Sequence, residues 1–190
     1  MSGLEKQKVE SKFYDIDDII AKSESTSCSF EIGELNPDFF QEMLGITKPT
    51  QTGDGYGADA PLWLLDAMKT PFTIHLPQAY SVNMQGIMMA DARNINLNRL
   101  QQHFYVDGIY LCRLMKEENP EGALNLARCI LTTLTQRLGG IVSNSARQRA
   151  NIDRFDALEA NVFALSRRCK DDIDRWLRQE KQNRKRPSTK

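Results

Sequence analysis

The chain of 190 residues predicts an α+β fold that is mainly α: a small N-terminal β-rich domain followed by a larger α-helical bundle domain. Two observations carry this. Before Pro77 the apolar residues recur with a period of two, and after it with a period of about 3.6. Charge is also divided. The chain is neutral as a whole, yet residues 1–60 hold five basic and twelve acidic side chains, and Arg167 to the end holds ten basic and four acidic. An acidic front and a basic end suggest two modules in different surroundings. The expected organisation is a β-rich unit over 1–77 with a flexible Gly-rich loop at 45–59, a helical assembly unit over 78–182, and a basic flexible tail over 183–190.

The elements follow in order. Phe13-Tyr14-Asp15-Ile16-Asp17-Asp18-Ile19-Ile20 reads as a short strand running into a helical turn. Cys28, Phe30 and Ile32 alternate with Ser29 and Glu31, and Phe72-Thr73-Ile74-His75-Leu76 alternates between Pro71 and Pro77; both predict strands with one buried face. Gly45 to Gly57 is rich in Gly, Thr, Pro and Asp and reads as a loop. Ala60-Pro61-Leu62-Trp63-Leu64-Leu65-Asp66-Ala67-Met68 predicts a short helix with Pro near its start, where the missing N–H costs nothing. One or two turns cannot hide so many large apolar side chains on one face, so some must meet another domain or chain.

Beyond Pro77 come helical patterns. Gln78–Ala90 places Tyr80, Met84, Ile87 and Met88 at apolar positions. Asn96 caps a helix with Leu97, Leu100, Phe104, Leu111 and Leu114 on one face. Asn119-Pro120-Glu121 opens another with a cap, a first-position Pro and an acid near the positive dipole end. Its expected buried face is Leu124, Ala127, Ile130, Leu131, Leu134, Leu138 and Ile141. A last helix from about Asn151 to Lys181 carries Ile152, Phe155, Val162, Ser166, Cys169, Ile173 and Trp176, widened by Leu158, Phe163, Leu165 and Leu177. It spans roughly 45 Å, more than a small domain of about 30 Å, so part of it must project or be covered by partners.

The chain offers little chemistry. Cys28, Cys112, Cys129 and Cys169 form no C-x-x-C pair, and no His stands at metal-ligand spacing, so no metal or cofactor is expected. Met1 to Ser11 is too polar for a signal peptide, and no apolar run reaches membrane-span length; an intracellular protein with reduced thiols is expected. His75 reads as exposed or locally bonded, and His103 as a structural histidine in the helix packing. Gly53-x-Gly55-x-Gly57 lacks the Gly-Lys-Ser/Thr of a phosphate loop. Asp15, Asp17 and Asp18 lack the Gly and Glu of a calcium loop, since Ile20 and Thr26 stand at those places. Arg184-Lys185-Arg186 is a candidate nuclear-import patch or phosphate contact, set against a merely solvated chain end. Arg167, Arg168, Lys170, Arg175 and Arg178 alternate with Asp171, Asp172 and Asp174, which suits a salt-bridged helix face better than a DNA stripe.

Several of these residues fall into one order. Tyr14-Asp15-Ile16-Asp17-Asp18-Ile19-Ile20 precedes Cys28-Ser29-Phe30, then Pro61-Leu62-Trp63-Leu64, then Leu76-Pro77 with Tyr80. Ala90-Asp91, Asn96-Leu97 and His103-Phe104-Tyr105 with Gly108 follow. This order resembles the GINS complex subunits of the Psf-three type, over about Phe13 to Leu114. The resemblance implies a β-rich domain before a helical one and a non-enzymatic structural subunit of a nuclear heterotetramer with three other GINS subunits. It implies work in DNA replication alongside the MCM ring and the cell-division-cycle cofactor protein, in the CMG helicase whose ATPase belongs to the ring. The residues expected to pack between domains or subunits are Leu62, Trp63, Leu64, Ile152, Phe155, Val162, Phe163, Trp176 and Leu177. The alternative is a free-standing helical nucleic-acid-binding protein using its basic tail.

Overall fold

The computed structural model describes residues 15–31, 50–52, 55–68, 72–146 and 152–185. The β-rich part begins with helix α1, Ile16–Ser23, capped by the Asp15 carboxylate, which accepts the Asp17 N–H at 3.1 Å. The expected strand-to-turn at Phe13–Ile20 is therefore a helix of two turns from Ile16 onward, and Phe13 and Tyr14 lie outside the described residues. Strand β1, Ser25–Glu31, follows, then β2, Thr50–Thr52, and β3, Gly55–Pro61. Helix α2, Leu62–Ala67, leads to β4, Phe72–Ile74. The four strands form an antiparallel sheet in the order β2-β3-β1-β4.

The Gly-rich stretch expected to be a loop at 45–59 is thus partly strand. Thr50–Thr52 pairs with Gly55–Gly57, and β3 continues alongside β1 with Cys28 opposite Ala58. Small residues line this place: Ala58 and Ala60 are buried in one cluster with Phe30 and Leu65. Residues 45–49 and 53–54 lie outside the described residues. In β1, Cys28 and Phe30 are buried as their alternation predicts, and the Cys28 thiol donates to the Ala58 carbonyl at 3.2 Å. Burial and the nearby Asp59 charge push that thiol up to about 12.

The helical part contains α3, Val82–Asp91, α4, Leu97–Leu100, α5, Phe104–Met115, α6, Pro120–Ala146, and α7, Ala157–Lys185. Short 3-10 turns at Gln78–Tyr80, Ala92–Asn94 and Ile152–Arg154 join them. The Asn96 cap is present, accepting the Arg99 N–H at 3.1 Å, but the helix it opens ends after one turn. A new helix starts at Phe104, so the expected single helix is two. Asn119 caps α6 by accepting the Gly122 N–H at 2.8 Å. The last α-helix starts at Ala157, not Asn151, and continues to Lys185, so the first residues of the expected flexible tail are helical.

Two apolar clusters form the core of the described residues. One gathers Tyr80, Met88, Leu97, Phe104, Leu111 and Leu126 among the helices, and the other lies under the sheet around Phe30 and Leu65. In the first, Tyr80 and Phe104 stack with centroids 5.0 Å apart, and the Tyr80 hydroxyl donates to the Phe104 carbonyl at 2.9 Å. Gly108 lets α5 close onto α6: a Cβ there would stand 2.5 Å from Ile130 Cδ1 and 3.1 Å from the Tyr80 ring.

The inward face of α6 keeps Ile130, Leu134 and Ile141 of the expected one but not its other leucines. Ala123, Leu126, Cys129, Ile130, Thr133, Arg137 and Ile141 are buried, whereas Leu124, Leu131 and Leu138 are exposed. The helix has two apolar stripes, and periodicity alone cannot say which turns inward. The stripe that turns inward is the one that carries Arg137.

Candidate assembly interface

The short helix α2 is where the two clusters meet. Its N-terminal Leu62 is buried in the helical cluster, and Leu65, one turn on, is buried in the sheet cluster. Both follow from helical geometry: positions three apart lie close on one face, and that face is wedged between sheet and bundle. The Leu62 N–H donates to the Glu24 carbonyl at 3.0 Å, tying α2 to the end of α1. Leu64 packs partly against the sheet cluster. Trp63, on the opposite side, remains 47 % exposed. Leu62 therefore packs within the chain, whereas the indole of Trp63 faces outward. Leu65, a seam residue as deeply buried as Leu62, was not among those expected from the sequence.

The position of α7 depends on a polar network that the leucine pattern does not show. Asp156 accepts the Tyr105 N–H at 2.9 Å with one oxygen and the Leu158 N–H with the other. One carboxylate thus caps the first turns of α5 and α7 together. Burial raises its carboxyl to about 6. One turn into α7, Glu159 receives a two-pronged ion pair from Arg137, with Nε at 2.6 Å and Nη2 at 2.7 Å. The Tyr105 hydroxyl donates to Glu159 at 2.8 Å. The remaining Arg137 donors reach the carbonyls of Ala92 at 2.8 Å, Ile95 at 2.7 Å and Arg154 at 3.3 Å. A planar guanidinium can satisfy so many acceptors from one place. Removing Arg137 would leave Glu159 charged and buried, which costs several kcal/mol, roughly 3–5. The sequence signal for Arg137 is its place on the buried arc of α6, seven residues after Ile130 and four before Ile141.

With α5, α6 and the start of α7 locked together, two apolar stripes face outward. On α6, Leu124, Leu131 and Leu138 recur every seven residues, with Leu131 63 % exposed and Val142 extending the line. From Leu124 to Leu138 the stripe runs about 21 Å, and a seven-residue repeat is the spacing by which two helices lie side by side. On α7, Leu165, Ile173, Trp176 and Leu177 are exposed. The expected interface residues at the beginning of α7 divide. Phe163 is buried, Val162 is half-buried, and Phe155 packs against Phe163 with centroids 5.8 Å apart. Ile152 is exposed, as are Trp176 and Leu177 further on. Arg184 and Lys185 belong to the last turn of α7; Arg186 lies outside the described residues.

The two histidines are a contrast. His75 is exposed and bonds through Nε2 to the Ser29 hydroxyl on the neighbouring strand. His103 is buried in the helix packing at the N-cap of α5, and its Nδ1 has no hydrogen-bond partner among the described residues. Among the described residues, no three His, Cys, Asp or Glu side chains stand close enough to hold a metal ion. No described helix is long and apolar enough to cross a membrane.

Residues 79–178, the segment that holds α3 to α6 and most of α7, match the family model described as the GINS complex protein helical bundle domain. The chain belongs to the GINS family. Its relatives include the DNA replication complex GINS protein PSF3 of Bos taurus, 25 % identical over 178 residues, covering 88 % of this chain and 81 % of the bovine one. The PSF3 of Xenopus laevis is 26 % identical over 182 residues, covering 89 % and 81 %. That of Homo sapiens is 24 % identical over 178 residues, covering 88 % and 81 %. Relatives named PSF3 thus match most of this GINS chain, and the segment matching the family model includes both outward-facing stripes.

Proposed function

We propose that this chain is a non-enzymatic structural subunit of a nuclear, heterotetrameric GINS complex that serves DNA replication. Three other GINS subunits are its immediate partners. The observation that carries the reading is the pair of exposed apolar stripes on α6 and α7, within the GINS helical bundle segment. A helix face of leucines spaced by seven is suited to being covered by another helix lying along it. The β-rich unit at 1–77, the helical unit at 78–182 and the basic tail at 183–190 divide the labour: the helical unit assembles, the first unit presents further surface, and Arg184-Lys185-Arg186 serves nuclear import.

Within the replicative helicase, the complex joins the MCM ring and the cell-division-cycle cofactor protein. Such a subunit acts by binding energy. Contacts stronger in the assembled, active helicase than in its open form shift the equilibrium toward the active one. The alternative of a free-standing nucleic-acid-binding protein is disfavoured by the mixed charge of α7, where Arg175 bonds Asp172 at 3.1 Å.

Co-expression with three sister GINS subunits, followed by size exclusion, tests the proposal. The chain should co-elute in a four-subunit particle, and Leu131→Glu or Trp176→Glu should release it while leaving its circular dichroism unchanged. A wild-type chain that remains a well-behaved monomer and binds DNA alone with salt-sensitive affinity would establish the alternative. Deleting Arg184 to Lys190 should reduce nuclear accumulation without affecting the particle.

A further inference from the structure

Helix α1 is turned the wrong way for an ordinary surface helix. Its apolar side faces water: Ile16 is 69 % exposed, Ile19 54 % and Ile20 44 %. At about 100° per residue these three share one face. The opposite side, facing the protein, carries Asp18 and Ala21. Asp18 accepts the Tyr110 hydroxyl at 2.7 Å and pairs with Lys22 at 2.7 Å. The buried acid has built partners, so this orientation is held by α5 and is not a helix left loose. Asp17 receives the Asn161 amide at 3.4 Å, which ties the same helix to α7.

The border of the isoleucine face is acidic. Asp15 and Asp17 are exposed at its N-terminal end and Glu24 follows its last turn. Neighbouring α2 presents Trp63 and Asp66 outward. Lys22 is the one basic residue of the helix, and it is engaged by Asp18. This differs from α7, whose exposed apolar residues stand among charges of both signs.

We propose that the Ile16–Ile19–Ile20 face docks an amphipathic helix of another protein that carries leucine or isoleucine on one side and lysine or arginine along its borders. The apolar side meets the isoleucines, and the basic borders meet Asp15, Asp17 and Glu24. Charge complementarity selects this occupant. An acidic or neutral amphipathic helix has the same apolar area but would be repelled or unguided. The chain's own basic end does not fit, because Lys181 to Lys190 has no large apolar residue to cover the isoleucines.

The test uses the full chain, co-expressed with its sister subunits, and two fluorescein-labelled peptides of about 16 residues, long enough for a marginally stable helix. Both share a leucine face; one has lysine borders and the other glutamate borders. Fluorescence anisotropy should show saturable binding of the lysine peptide, weakened by salt, and at least tenfold weaker binding of the glutamate peptide. Ile19→Asp should abolish binding. Asp15→Asn with Asp17→Asn should weaken it and flatten its salt dependence. Size exclusion and circular dichroism on each variant separate a lost surface from a lost fold or a lost complex. Equal binding of the two peptides, no binding of either, or binding that survives Ile19→Asp would overturn the proposal. Binding that appears only after deletion of residues 1–12 would also overturn it, by making the chain's own N-terminal segment the occupant.

Discussion

Asp107 offers a sharp test of how the bundle balances burial against charge. This carboxyl is 2 % exposed at the first turn of α5. One oxygen accepts the Gln101 amide at 2.7 Å, and the other has no hydrogen-bond partner among the described residues. Burial is the main cause that raises its carboxyl from 3.8 to about 7; Gln101 opposes the rise, and the charges of Glu24 and Asp156 add to it. The folded chain thus holds this proton far more tightly than the unfolded chain does. Stability from this group is full below the unfolded value near 4, falls as pH rises, and is lost above about 7. Three decades of proton affinity correspond to about 4 kcal/mol at most. Relaxation of the protein around the buried charge, which makes the effective dielectric higher than that of a dry interior, reduces this to about 2 kcal/mol. Asp107→Asn keeps the shape and the acceptor for Gln101 while removing the charge. At pH 8 it should stabilise the chain by about 2 kcal/mol, a rise in Tm of roughly 4–8 °C for this size. At pH 4.5 the gain should nearly vanish. Urea unfolding of both proteins across this range is the assay. A variant less stable than wild type at pH 8, or a gain independent of pH, would refute the reasoning.

Three further outcomes follow from the packing. Gly108→Ala should destabilise the bundle by about 1 kcal/mol, because crowding against Ile130 and Tyr80 outweighs the better helix propensity of Ala; urea midpoints with an unchanged m-value would show it. Asp156→Ala removes one cap from each of two helices and should cost about 2 kcal/mol, with amide exchange accelerating first at 157–163. Tyr110→Phe removes the buried hydroxyl that donates to Asp18 and should cost about 1–2 kcal/mol, read as faster exchange in α1 while α6 remains protected.

Local chemistry was well advertised in this chain. The caps Asn96 and Asn119, the inward alternation of Cys28 and Phe30, and the crowded Leu62–Leu65 segment could be read directly, because each rests on neighbours within a few residues. Helix boundaries were less legible. The break at Gln101–His103 occurs where α5 starts afresh beneath Asp156, a residue 51 positions away from Tyr105, whose N–H it accepts. The Gly-rich stretch looked like a loop because its glycines are poor strand formers, yet β1 supplies a ladder that holds Gly55–Pro61 extended.

By itself the sequence determined the class of the molecule: a sheet before helices, an apolar surplus near Trp63, and a last helix too long for the domain that bears it. Only the tertiary structure decided which apolar residues are interior and which face out. Leu124, Leu131 and Leu138 looked like core and are surface; Arg137 and Glu159, which the apolar pattern did not single out, are core. The reason is that periodicity reports that a face is apolar, whereas burial depends on what stands opposite. A guanidinium can enter the interior when a carboxylate and three carbonyls converge on it, and those partners come from separate parts of the chain.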